Sequence, residues 1–288
     1  MKNRIQGILP KSKGDVVCCF FILFLIDWVA KFFQNTWFHN FVGAPFYNVG
    51  TDFSYWVWIV SGIPQFLLSN HLWTWTLDIL MLLLGCYNLF RPRRITLIVW
   101  TLMYLMWVIT TNAVVGSHFH SYNGLIIIGV CCCFYQSRYF VTAWEMARYY
   151  VMYIFASAAL WKILRGIPFD INHLQSLQFQ NNIWYTLQDS WYAWVFKLST
   201  ANKWISYCCM QIVIILQLSF VIGFITKKYD KWLIGLFVFF CIADYVVFRH
   251  FFFELTVLIL PLLVPFKNMD LDPSKMTTKG QNMDAMHK

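Results

Sequence analysis

Long apolar runs recur from residue 16 to residue 266 and dominate this chain. A run of about 20 apolar residues can cross a hydrocarbon layer of about 30 Å as a helix, which satisfies its own backbone hydrogen bonds. Only 12% of the residues are charged, against about 25% in soluble domains. The runs are continuous rather than alternating, which argues against a transmembrane barrel. The sequence therefore predicts an all-α, polytopic transmembrane bundle in a lipid bilayer.

About eight spanning helices are predicted, at 16–33, 72–90, 95–114, 121–136, 147–164, 204–226, 231–247 and 250–266. The apolar segment 55–69 is short and contains Gly62 and Pro64, so we interpret it as a re-entrant or interfacial helix. The last two spans come from one apolar run. A single helix over the whole run 231–266 would extend about 54 Å, which is too long for one crossing. We therefore place a tight outer turn at Phe248–His250.

The distribution of lysine and arginine orients this topology. If 55–69 does not cross, most of these residues share one side with the basic N-terminus, residues 1–15. The exceptions are Lys31, Lys162, Arg165, Lys197, Lys203 and Arg249. An excess of positive charge marks the cytoplasmic side, so both termini, including a disordered tail at 267–288, are predicted to be cytoplasmic. The net charge of +9 has the same origin, and no nucleic-acid partner is predicted.

The longest outer segment, 165–203, is rich in tryptophan and tyrosine. Such rings settle at the membrane–water interface, and the segment could equally be a lid or a surface for a periplasmic or luminal protein. We expect a multi-pass protein of the plasma (inner) membrane if the chain is bacterial, or of the endoplasmic reticulum if it is eukaryotic.

The stretch Ser117–Lys162 is the candidate reactive region. His118 and His120 precede one span and Lys162 lies near the end of the next, so all three are predicted on the outer side. Lys162 either extends to the headgroups or lies between helices, where loss of hydration favours the neutral amine of a general base. Tyr122 adds a hydrogen-bonding group at that depth. His118 and His120 lack further ligands at motif spacing, so no metal site is predicted.

Four acidic residues fall inside the predicted spans: Asp27, Asp78, Asp244 and Glu254. Charged groups are costly there, which makes them candidates for binding. His250 and Glu254 are four residues apart and would share one helical face. Buried ion pairs or anchors between helices explain such residues as readily as binding does. The nine cysteines all lie in apolar segments without zinc-type spacing.

Four segments resemble, in order, the membrane domain of vitamin K-dependent gamma-carboxylases and its bacterial HTTM relatives. His120-Ser121-Tyr122 resembles the family's Asn-Asn-His-Ser-Tyr, and the helix ending at Lys162 resembles one ending in Ala-Gly-Leu-Lys-Lys. Asp27 resembles an acidic position of the first span, and Phe248-Arg249-His250 has a histidine-bearing counterpart. The order of these segments over residues 15–266 carries the resemblance.

The resemblance implies a quinone or other lipid-soluble ligand, with vitamin K hydroquinone or a related quinol as cofactor. By the same resemblance, Lys162 is the base that deprotonates the quinol and His120 stabilises the oxyanion. Further binding residues are His118, Tyr122, His250, Glu254 and Asp27. Trp161 replaces the first of the family's two lysines, and His118-Phe119 replaces Asn-Asn. The sequence lacks the large outer domain of the carboxylases, so we expect no peptide carboxylation.

Two other functions remain open. The chain could be a non-catalytic membrane scaffold or partner subunit that presents 165–203, or a transporter that depends on Asp27 or Glu254. It contains no phosphate-binding loop and no paired broken helices in two corresponding halves.

Overall fold

The computed structural model describes residues 12–45, 53–115, 123–182, 191–248 and 253–264, and these residues are helical with no β-strand. This confirms the predicted all-α class. The α-helices are α1 Lys13–Phe33, α2 Phe53–Val60, α3 Ile63–Leu67, α4 His71–Phe90, α5 Arg94–Val115, α6 Asn123–Cys133, α7 Phe140–Leu164, α8 His173–Asn182, α9 Trp191–Ala201, α10 Lys203–Ser219, α11 Ile222–Ile225, α12 Asp230–Phe248, α13 Phe253–Thr256 and α14 Leu260–Leu263. Short 3-10 turns lie at Phe38–Phe41, Ile167–Phe169 and Val257–Ile259.

Among the residues that the structure describes, four stretches are long and apolar enough to cross a membrane: Lys13–Phe41, His71–Phe90, Arg94–Val114 and Lys203–Ile225. Helices α7 and α12 are of similar length and contain three charged residues each. Two shorter apolar stretches are Gly124–Cys133 and Phe253–Leu263. Four helices are therefore able to cross by length and composition, and eight crossings remain a prediction.

Helix α1 begins at a capping box and packs its apolar face against an aromatic core. Ser12 Oγ accepts from the Asp15 backbone N–H at 3.1 Å, and Asp15 Oδ2 accepts from the Ser12 N–H at 2.9 Å, which satisfies two backbone donors at the helix start. Further along, Phe24 meets Trp100 of α5 edge to face, with ring centroids 4.7 Å apart. Helix α4 crosses close by, because a Cβ on Gly85 would come within 2.6 Å of the Phe24 ring.

The end of α1, the start of α4 and the end of α5 meet at one end of the bundle. The Gly43 N–H donates to the Leu68 carbonyl at 3.4 Å just before α4, and Trp107 Nε1 of α5 donates to the Thr36 carbonyl at 2.8 Å. In its described residues, the segment between α1 and α4 forms the 3-10 turn Phe38–Phe41 and the helices α2 and α3, of eight and five residues. The chain thus leaves α1 and enters α4 at the same end, as expected if 55–69 does not cross.

Helices α7, α10 and α12 form the second half of the bundle. The ring of Phe155 on α7 stacks on Phe220, directly after α10, at 4.2 Å between centroids and meets Phe237 of α12 at 5.3 Å. Helix α13 joins the two halves, since it packs against α6 and is followed by α14, which packs against α7 and α12. Many apolar side chains on the outer faces of the helices remain exposed, as a lipid-facing surface requires.

Candidate functional site

Lys162 lies on α7, two residues before the helix ends at Leu164. Its Nζ donates a hydrogen bond to Oε1 of Gln217 on α10 at 2.9 Å, and Gln217 is only 4% exposed. The side chain therefore contacts a neighbouring helix instead of extending past the end of α7. Of the two interpretations of Lys162, the structure shows the one in which the lysine lies between helices.

Asp244 on α12 is the charged residue that interacts electrostatically with Lys162. The two side chains make no direct ion pair, and the buried Oδ2 of Asp244 has no hydrogen-bond partner within the described part of the chain. Lys162, Gln217 and Asp244 thus form a polar site between α7, α10 and α12. We call these three residues the lysine site.

An apolar cluster is packed between the same helices as the lysine site. Phe240 lies one helical turn before Asp244 and meets the ring of Phe155 edge to face at 5.2 Å. An apolar wall beside a few convergent polar groups is the usual form of a site for a small lipid-soluble molecule.

Asp27 and Glu254, both predicted as binding residues, are brought together by Lys31. Lys31 Nζ lies 3.3 Å from Asp27 Oδ2 on the same helix and forms a hydrogen-bonded ion pair with Glu254 Oε1 of α13. The ring of Trp107 on α5 faces the ammonium at 4.7 Å. All three charged side chains are buried. We call Asp27, Lys31 and Glu254 the acidic triad.

Sequence reasoning placed Lys31 among the outer basic residues without assigning it a site. The spacing of four residues between Asp27 and Lys31 was a visible signal, because residues four apart meet on one helical face. Gln217 gave a weaker signal, as one of two amides, with Gln211, in an otherwise largely apolar run.

Several predicted site residues lie outside the described residues: His118, His120, Tyr122 and His250. Whether His120 meets Lys162 therefore stays a prediction, and so does the pairing of His250 with Glu254. Glu254 itself contacts Lys31.

Asp78 is a buried anchor for the loop that follows α1. Its carboxylate accepts from the backbone N–H groups of Phe38 and His39 at 2.9 and 3.0 Å and contacts His39 Nδ1 at 2.9 Å. The His39 ring in turn stacks on Trp75 at 3.8 Å. Asp78 therefore anchors the turn that follows α1, whereas the sequence allowed an anchor between helices.

A second ion pair closes the opposite end of the bundle. Arg148 on α7 donates to both carboxylate oxygens of Asp230, at 2.8 Å from Nε and 2.6 Å from Nη2, and to the Gly223 carbonyl at 2.9 Å. This pair has balanced charge and links α7, α11 and α12.

Within the described ranges, no group of three or more His, Cys, Asp or Glu side chains is arranged to hold a metal ion. Comparison of the chain with family models, curated proteins and solved structures gave no match.

Proposed function

We propose that this chain is a multi-pass membrane protein of HTTM type that binds a quinone or similar lipid-soluble molecule at the lysine site, with Lys162 as the base. The observation that carries the proposal is the hydrogen bond from Lys162 to Gln217, which holds the amine between helices. A lysine at the end of a spanning helix would otherwise extend to the headgroups. Asp244 supplies a second polar group beside it.

The position of the lysine site suits a ligand that enters from the bilayer. Phe220 and Phe240, which both contact Phe155, lie about one helical turn from Gln217 and Asp244 along the chain, and a ring-containing molecule would pack against them. Gln217 and Asp244 would orient a polar group of the ligand toward the amine. In this proposal Lys162 accepts a proton from the bound hydroxyl, and His120 would stabilise the resulting oxyanion.

The contacts between helix ends support the proposed orientation with cytoplasmic termini. Lys13 Nζ at the start of α1 donates to the Ser137 carbonyl between α6 and α7 at 3.3 Å. Lys227, just before α12, pairs with Glu145 near the start of α7 at 2.6 Å. These segments are the ones that the charge distribution assigns to the cytoplasm, and they meet at one end of the bundle.

The proposal is tested with purified protein in liposomes and a naphthoquinol probe. Binding is followed by quenching of tryptophan fluorescence, and turnover by oxidation of the quinol with dissolved oxygen as the electron acceptor. We expect Lys162→Gln to retain binding and to lose turnover, because glutamine keeps much of the length and polarity but cannot act as the base. Gln217→Leu should weaken both, since it removes the hydrogen-bond partner of the amine.

Lys197→Ala on α9 is the matched control, because it removes an exposed lysine that lies outside the lysine site. It should leave binding and turnover unchanged. Unchanged turnover in Lys162→Gln would exclude Lys162 as the base. A parent protein that binds the probe without oxidising it would refute the enzymatic part, and a parent that does not bind it would refute the proposed ligand class.

A non-catalytic scaffold is the second candidate, favoured by the exposed aromatic residues after α7. Phe169 is 85% exposed and Trp194 of α9 is 65% exposed, so this region presents apolar surface to lipid or to a partner. A partner that purifies in equal amount with the parent and is lost from Phe169→Ser/Trp194→Ser, while Lys162→Gln retains it, would favour this function.

A further inference from the structure

The acidic triad is a second polar site, separate in its residues from the lysine site. It is built from two helices far apart in sequence: Asp27 and Lys31 lie on α1, and Glu254 lies in the first turn of α13. The lysine ammonium contacts both carboxylates. Glu254 is held tightly in place, because its carbonyl oxygen would lie 2.0 Å from a Cβ placed on Gly124 of α6.

The charges of the triad do not balance. Two carboxylates face one ammonium, and the Trp107 ring attracts the ammonium without adding a charge. Within the described residues, Lys31 is the one ion-pair partner of both carboxylates. With all three groups ionised, the triad carries one excess negative charge.

The elements packed around α1 supply no compensating cation from their described residues. Helix α4 packs along α1 and contributes Asp78, which is occupied by His39 and two backbone N–H groups. Helices α5 and α6 contribute Trp107 and Gly124 near the triad. An unbalanced charge buried in an apolar environment is strongly unfavourable, and the buried Asp27 Oδ2 has no described hydrogen-bond donor nearby other than the Lys31 ammonium at 3.3 Å.

We propose that the acidic triad binds one exchangeable proton, held on a carboxyl group in addition to the protons of Lys31. The added proton makes the site neutral: one carboxylic acid, one carboxylate and one ammonium. The ammonium already occupies the position between the two carboxylates that a metal cation would need. The site therefore binds a proton rather than a metal cation. Carboxyl groups of this kind form proton-exchange sites inside membrane proteins.

Infrared spectroscopy of the purified protein in liposomes at neutral pH tests the proposal. A protonated carboxyl group has a carbonyl-stretch band that is separate from the carboxylate bands and moves to lower frequency when the proton exchanges for deuterium. Variant-minus-parent difference spectra isolate the contribution of the triad. The parent is expected to show this band.

Charge balance predicts a distinctive pattern among the variants. Asp27→Asn and Glu254→Gln should each abolish the triad band, because either change leaves one carboxylate paired with one ammonium. Lys31→Met should increase the band to that of two carboxylic acids, since two carboxylates then lack a cation. Asp78→Asn, the matched control on α4, should leave the triad band unchanged.

Each variant is first checked for a single symmetric peak in size-exclusion chromatography, and Glu254→Gln provides the test if Asp27→Asn does not fold. The proposal would be overturned if neither Asp27→Asn nor Glu254→Gln lost the band. It would also be overturned if Lys31→Met showed no increase in the band. Loss of the parent band on addition of sodium ions would show instead that the site binds an alkali cation.

Discussion

Replacing Arg148 by methionine should strongly destabilise the fold. The guanidinium and the Asp230 carboxylate are almost fully buried, with side chains 3% and 9% exposed, and the pair forms two hydrogen bonds of 2.6 and 2.8 Å. Removing one partner leaves an unpaired buried carboxylate and an unsatisfied Gly223 carbonyl. Breaking a buried pair in this way costs about 3–5 kcal/mol. We therefore expect Arg148→Met to lower the free energy of unfolding by about that amount.

The measurement is unfolding of the purified protein in mixed micelles, titrated with denaturing detergent and followed by circular dichroism. A double-mutant cycle separates the pair from its surroundings. Arg148→Met combined with Asp230→Leu removes the orphaned carboxylate, so the double variant should recover a large part of the lost free energy.

The matched control is Lys227→Met, which breaks the pair with Glu145 on the same face of α7. Those side chains are 37% and 21% exposed, and such a pair contributes about 0–1 kcal/mol. A loss below about 1 kcal/mol for Arg148→Met, or a double variant no more stable than the single one, would refute the reasoning that links burial of this pair to stability.

Two further predictions concern packing and topology. Gly124→Ala should destabilise the protein by about 1–3 kcal/mol, because the new Cβ would lie 2.0 Å from the Glu254 carbonyl oxygen; Gly235→Ala, where nothing lies within 4 Å, is the control, and equal stability of the two variants contradicts the prediction. Reporter fusions ending after Pro92 and after Gly166 should report cytoplasmic and outer locations respectively, because the proposed orientation places the two loops on opposite sides. Both reporters on one side would refute it.

The helices were predictable from the sequence where hydrophobicity is a local property. The predicted spans 72–90 and 95–114 correspond to α4 at His71–Phe90 and α5 at Arg94–Val115. The run 231–266 contains α12 and the helices from Phe253 onward, and Arg249 and His250 of the turn predicted at Phe248–His250 lie outside the described residues. A polar group beside an apolar run marks the end of a helix, and such an end can be predicted without knowing the fold.

The partners of the charged residues could not be predicted from local sequence. Lys31 and Glu254 are 223 positions apart, and they meet because α13 packs against α6, which also contacts α1. The rotation of α7 about its axis decides whether Lys162 faces lipid or a neighbouring helix. That rotation depends on contacts with α10, whose nearly continuous apolar sequence does not identify one inward face.

The buried charged groups of this bundle are of two kinds: those fully paired with an opposite charge, and those whose charges are only partly matched. Arg148 and Asp230 are paired one to one and hydrogen-bonded to each other, so their role is explained by packing and stability. The acidic triad has an excess carboxylate, and Lys162 is bonded to a neutral amide while the Asp244 carboxylate is left beside it. An excess buried charge and a buried carboxylate oxygen without a hydrogen bond are both costly in an apolar environment, so an account based on stability alone leaves both of these arrangements unexplained. Exchange of a proton at the triad and binding of a polar group at the lysine site would each supply the missing partner.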